Sequence, residues 1–116
     1  MEEAYSLILS DIFKEQYNLL SKTGKVKVIE KINKMILEII KEPRKGSGKP
    51  ERLKDVSKIE PALDPQLIHI WSRRITNEHQ LTYRIYDDKK LVFVMLCKGH
   101  YTELNKFYGF NFFFEN

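Results

Sequence analysis

From Leu91 to Cys97 the chain is almost continuously apolar: Leu-Val-Phe-Val-Met-Leu-Cys. A short run of this kind reads as a central strand buried on both faces, and the strand is expected over Leu91 to Lys98. Asp87-Asp88-Lys89-Lys90 precedes it as a turn, and Gln80 to Tyr86 before that reads as its hairpin partner. A further strand is expected over Ile68 to Thr76. The N-terminal half has a different period. Tyr5 to Leu9 reads as a short strand, and Ser10 is a good N-cap for a helix with Ile12, Phe13, Tyr17 and Leu20 on one face. Thr23-Gly24 breaks that helix, and a second is expected from about Lys25 to Lys41. Its apolar stripe is Val28, Ile29, Ile32, Met35, Ile36, Ile39 and Ile40, with Lys27, Lys31, Lys34 and Lys41 largely outside it. Pro43 ends it, and Gly46-Ser47-Gly48-Lys49-Pro50 is a loop by composition. Pro61 and Pro65 mark a second irregular stretch. The order is β-α-α-β-β-β. It implies an α+β fold with two helices on one face of a small antiparallel-rich sheet.

A length of 116 residues suits one compact domain. The apolar share of 42% and charged share of 31% are those of an ordinary globular protein. Cys97 is alone, so no internal disulfide can form, and a reducing cytoplasm is the expected home. Met1 is followed by Glu2 and Glu3 rather than by a basic segment and an apolar run, so no signal peptide is expected. No apolar stretch is long enough to span a bilayer, so no membrane partner is expected. The net charge of +4 is uneven: residues 22–58 hold twelve Lys/Arg against five acids. That surplus is either the footprint of a polyanion or a solvated helix face.

The residues with chemistry to offer are Lys49, Glu51, Lys54, Arg73, Arg74, His79, His100 and Tyr101. RNA is cut without a metal when its own 2′-hydroxyl attacks the adjacent phosphate. That needs a base, an acid and fixed positive charge around the phosphoryl oxygens. A Glu, a His and several Arg or Lys supply the set, as they would in most basic domains. Each has a plain structural reading beside this one. Glu51 lies near Arg52 and Lys54 and can be a surface ion pair. Arg73 and Arg74 alternate along a strand, which sends one to solvent. His79 at a turn reads as a structural hydrogen-bonder and His100 as a surface histidine. Trp71 and Tyr83 read as core. The three His and one Cys have no metal-ligand spacing, so no metal and no cofactor are expected. The Gly-rich loop lacks the length and ending of a P-loop.

Read together, these pieces resemble a known family. Gly46-Ser47-Gly48-Lys49-Pro50-Glu51-Arg52-Leu53-Lys54 is similar to a segment of the Txe/YoeB branch of RelE-type toxins. So is Ile70-Trp71-Ser72-Arg73-Arg74-Ile75-Thr76-Asn77-Glu78-His79, and Leu81-Thr82-Tyr83 and Cys97-Lys98-Gly99-His100-Tyr101 follow in order. The likeness runs from about Tyr5 to Tyr101. It implies a RelE-like toxin domain over 1–101 with an aromatic tail over 102–116. It implies an endoribonuclease that enters the small-subunit decoding site of the ribosome, cuts messenger RNA there by 2′-hydroxyl attack, and is restrained by a cognate antitoxin. On this mapping Glu51 is the general base and His100 the general acid. Arg74 steadies the phosphate, Lys54 lies near the scissile site, and Tyr101 neighbours the acid. Lys49 and Arg73 would contact RNA backbone.

Three features depart from the family pattern. Gln80 stands after His79 where the family has a catalytic Arg, so a neutral amide replaces a charge at an RNA-binding position. The stretch from Asp55 to His69 is longer than the family connection. Beyond Tyr101 the tail carries Phe107, Phe110, Phe112, Phe113 and Phe114, which would dock on the body, mediate a homodimer, or stay exposed. These departures leave room for a second reading, a catalytically weakened toxin-like module that binds ribosome or antitoxin without cutting. A third is a basic RNA-binding domain unrelated to the ribosome.

Overall fold

The computed structural model describes residues 4–52 and 69–99. Lys54, His100, Tyr101, nearly all of the 55–69 stretch and the whole 102–116 tail lie outside them. The elements are β1 (Ser6–Leu9), α1 (Asp11–Lys22), α2 (Val26–Lys41), β2 (Glu51–Arg52), β3 (Ile70–Arg74), β4 (Gln80–Tyr86) and β5 (Leu91–Leu96). The strands form one sheet in the order β1-β5-β4-β3-β2. β1 runs parallel to β5, and every other pair is antiparallel. The α+β fold expected above is present, and β5 lies inside the sheet, between β1 and β4.

Helix α1 begins where its cap says it should. The Ser10 hydroxyl oxygen accepts the Phe13 N–H at 2.9 Å and its O–H donates to the Met95 carbonyl at 2.7 Å. The cap is thereby tied to the sheet as well as to its own helix. The turn into α2 needs a left-handed residue, and Gly24 takes φ +76° there. Phe13, Leu20, Ile32, Met35 and Ile39 from the helices meet Leu81, Tyr83, Ile85, Val92 and Val94 from β4 and β5. Positions 81, 83 and 85 alternate along β4, so they share one face. The intervening Thr82, Arg84 and Tyr86 are buried too. Each fully buried aliphatic or aromatic side chain contributes about 1.5–3 kcal/mol, and this helix-on-sheet layer is the main source of stability. Among the described residues no helix is long and apolar enough to cross a membrane.

The element ends differ from expectation for local reasons. β3 stops at Arg74 rather than Thr76 because the Ile75 and Thr76 N–H groups both turn to the His79 carbonyl, at 3.0 and 3.2 Å. The Thr76 hydroxyl oxygen then accepts the N–H groups of Glu78 and His79, closing the turn. β5 stops at Leu96 because Gln16 Oε1 takes the Cys97 and Lys98 N–H groups, at 2.8 and 3.2 Å. Strand β2 was not expected. Two residues are too few to show a period.

Candidate active-site face

The glycine loop after α2 is organised from within by Arg73, which is 0% exposed. Its Nε donates to the Tyr83 hydroxyl at 3.0 Å, and its Nη1 donates to Glu38 Oε1 at 2.8 Å. Nη2 donates to the Lys45 carbonyl at 2.7 Å, and the carbonyls of Glu42, Pro43 and Ser47 lie within 3.4 Å of the fork. Tyr83 in turn donates to the Pro43 carbonyl at 2.7 Å. Glu38 Oε1 also accepts from the Ser47 N–H and hydroxyl. Burial pushes the Glu38 carboxyl up, but Ser47, Arg73 and Lys34 together outweigh it and hold the group below its ordinary value. Burial moves the Tyr83 phenol upward, against the pull of Arg73. Two glycines make this packing possible. A Cβ on Gly46 would stand 2.6 Å from Arg73 Nη1, and one on Gly48 would stand 2.7 Å from the Arg74 carbonyl oxygen. The expectation that Arg73 touches RNA backbone is therefore corrected: its donors are spent inside the protein, on a carboxylate and on loop carbonyls.

The register then assembles the outer face. Glu51 lies opposite Ser72, and Ser72 opposite Thr82. Arg74 lies opposite Gln80. Side chains opposite one another share a face, and so do those two apart on a strand. Glu51, Arg74 and Gln80 thus stand on one face at one end of the sheet. Glu51 and Arg74 are diagonal neighbours, at a spacing typically about 7–8 Å. Both are exposed, while Ser72 and Thr82 between the strands are buried. Lys49 is exposed beside them and takes a left-handed φ of +51°. The Gly48 carbonyl just before it accepts the Arg74 N–H at 2.7 Å.

The fourth part of this corner is the end of β5. Gln80 N–H donates to the Gly99 carbonyl at 2.9 Å, and Gly99 N–H donates to His79 Nδ1 at 3.0 Å. An imidazole nitrogen that accepts is unprotonated, so His79 has its structural role in the tautomer with the proton on Nε2. Both backbone groups of the residue before His100 are thus held. The structure brings Lys49, Glu51, Arg74 and Gln80 together and turns Arg73 inward. Lys54, His100 and Tyr101 lie outside the described residues. An exposed carboxylate beside a guanidinium can take a proton and hold a phosphate. Among the described residues no cluster of His, Cys, Asp or Glu could hold a metal ion. Cys97 is buried and its thiol is pushed up to about 12 by that burial, which removes it as a nucleophile.

Two structural residues escaped the sequence reading. Gln16 falls on the buried side of α1, where a polar residue breaks the stripe. Glu38 sits in the last turn of α2, where an acid opposes the helix dipole unless something pairs it. That misplaced charge was the available signal for an internal partner.

The sequence profile described as YoeB-like toxin of bacterial type II toxin-antitoxin system matches residues 10–101. Toxin YoeB of Escherichia coli (strain K12) is 37% identical over 95 residues, 82% of this chain and 98% of the relative. A solved YoeB/ParE toxin from Agrobacterium tumefaciens superposes with a TM-score of 0.67 at 31% identity, covering 83% of this chain and 99% of that one. The toxin in a heterotetrameric YoeB–YefM toxin-antitoxin complex from Staphylococcus aureus has a TM-score of 0.63 at 31% identity, over 84% and 98% of the two chains.

Proposed function

Because the chain belongs to the YoeB-like toxin family of bacterial type II toxin–antitoxin systems, we propose that it is a ribosome-dependent messenger-RNA endoribonuclease. The observation that carries this reading is the strand register. It sets Glu51 and Arg74 on one exposed face, with Gln80 opposite Arg74. Glu51 takes the proton of the 2′-hydroxyl, whose oxygen then attacks the neighbouring phosphorus. The bond to the 5′-oxygen breaks, and His100 supplies the proton that this oxygen needs. A 2′,3′-cyclic phosphate and a free 5′-hydroxyl result. Arg74 meets the charge that builds on the phosphoryl oxygens, with Lys54 near the scissile bond and Tyr101 beside the acid. Lys49 contacts backbone without reading sequence. A base, an acid and fixed cations suffice for this step, so no metal is required. The YoeB–YefM complex supports an antitoxin as the restraining partner.

The test is single-turnover cleavage of a message on ribosomes programmed at one codon, against the same message free in solution. Cleavage only on the ribosome, lost in Glu51→Gln with an unchanged melt, is the expected result. Equal cutting of free RNA removes the ribosome from the reading. No cutting in either arm favours the second reading, a module that binds without cleaving. The neutral Gln80 opposite Arg74 is the observation behind that alternative.

A further inference from the structure

Helices α1 and α2 both pack on the side of the sheet that carries Leu81, Tyr83, Ile85, Val92 and Val94. The other side is buried as well. Residues opposite one another, or two apart on a strand, share a face. Thr82, Arg84 and Tyr86 of β4 therefore face away from the helices, together with Ile70 of β3 and Phe93 and Met95 of β5. None of these six belongs to the helix-side core, yet Ile70, Thr82 and Met95 are fully buried and the other three nearly so. A bare antiparallel face would be solvated. Among the described residues no helix or strand lies over it. The burial is that of a single chain, so the cover belongs to the same molecule. We propose that the aromatic tail, residues 102–116, docks on this outer face over β4 and β5.

The point of departure favours the tail. Gly99 is the last described residue before it, and its carbonyl accepts the Gln80 N–H at 2.9 Å. The chain therefore leaves from the inner strands, β4 and β5, rather than from an edge. To cover β5 it has to retrace six residues, about 20 Å, and its fifteen residues can extend over about 50 Å. Its composition suits a dry surface: Phe107, Phe110, Phe112, Phe113 and Phe114 against Glu103, Lys106 and Glu115. The other segment with enough length, 53–68, carries Lys54, Asp55, Lys58, Glu60 and Asp64, and burying charge is costly. It is also joined at both ends to the β2–β3 edge, since Arg52 lies opposite Trp71 and the chain re-enters the sheet at Ile70. The limits of the buried area fit one strip of chain. Ile8 of β1 stands opposite Phe93 but is 40% exposed, and Glu51 and Arg74 are exposed at the far corner. The docking leaves that corner open and does not rest on the nuclease reading.

The experiment uses the full chain with carbon-13-labelled methionine methyl groups. Met95 reports on the outer face and Met35 on the helix side, and both are buried. A soluble gadolinium chelate relaxes the methyl groups that solvent reaches, so both should stay protected in the unaltered chain. Phe110→Ser with Phe112→Ser, Phe113→Ser and Phe114→Ser should raise the relaxation of the Met95 methyl severalfold and leave that of Met35 as it was. Val56→Ser with Ile59→Ser and Leu63→Ser, in the other segment, should change neither. A Met95 signal that stays protected in the tail variant overturns the docking, and exposure in the Val56/Ile59/Leu63 variant instead assigns the cover to 53–68. Exposure of Met95 on dilution of the unaltered chain, with a halved mass by light scattering, would assign the cover to a second copy and overturn docking within one molecule. Should the tail variant unfold, seen as exposure of Met35 too, the unaltered chain decides. Nuclear Overhauser contacts from the Met95 methyl to the rings of tail phenylalanines are then the expected result, and their absence overturns the proposal.

Discussion

Arg73 and Arg74 are the same residue type, adjacent in sequence, and a strand sends them to opposite faces. Arg73 enters a ring of carbonyls and the Glu38 carboxylate, and Arg74 stays exposed. Arg73→Ala should therefore lower stability by roughly 3 kcal/mol, the low end for breaking a buried pair, because Glu38 keeps 27% of its side-chain surface and can rehydrate. Urea denaturation checks this, and a change below 1 kcal/mol would mean that the loop does not depend on the guanidinium. Gln80 poses the opposite question. It sits across from Arg74, on the face proposed to hold the scissile phosphate, and offers a neutral amide. Losing a preorganised charged donor typically slows a reaction by roughly a hundredfold to a thousandfold. Gln80→Arg should raise single-turnover cleavage on programmed ribosomes with little change in ribosome affinity. A rate that stays flat or falls would show that this position does not limit the reaction.

Strand β5 ends where a side chain captures the next backbone groups. Gln16, on α1, takes the N–H groups of Cys97 and Lys98 and so terminates β5 at Leu96, four residues before His100. Replacing it with Leu keeps the helix and fills similar volume, but leaves two N–H groups without their acceptor. An unsatisfied buried polar group costs about 1–3 kcal/mol. Gln16→Leu is expected to shift the melting temperature down, with faster amide exchange at Cys97 and Lys98 than in the unaltered chain. Unaltered protection at both amides would show that another acceptor replaces Gln16. The two-residue β2 has the opposite character. Among the described residues its strand partners are on β3 alone, yet it decides where Glu51 stands, so its position rests on the glycine loop that Arg73 anchors.

At the scale of the molecule, two carboxylates tie distant parts of the chain together. Glu38 binds α2 to the glycine loop and to β3. Asp87 takes Arg44 through both oxygens, at 3.1 and 2.7 Å, and Tyr5 through its hydroxyl at 2.8 Å. Arg44 lowers the Asp87 carboxyl, against burial, and Glu38 is lowered as described above. A folded value below the unfolded one means that the unfolded chain binds more protons in acid. The associated stability is present above the ordinary values of 4.5 and 3.8 and is lost as pH falls through the lower folded values. The urea midpoint should fall steeply below about pH 4.5, and Glu38→Gln should flatten that part of the curve. An identical pH profile in that variant would show that Glu38 does not carry the acid sensitivity.

Much of this was legible in the residues. The period of α2, the Ser10 cap, the Thr23-Gly24 break and the apolar run of β5 are local signals, and the elements stand where those signals put them within a few residues. The family resemblance is also a local pattern of short motifs, and the family it names is the one the chain belongs to. Side-chain direction was not local. Whether Arg73 or Arg74 faces outward depends on which face of β3 the helices cover, and that is set by the whole sheet. The pairing of Glu51 with Ser72 and of Arg74 with Gln80 joins residues that nothing in the sequence shows to be neighbours. The sequence alone determined the elements and their order, because propensity and period act over a few residues. Tertiary structure alone decided which cation is spent inside and which stays exposed, because burial is a property of the packed molecule.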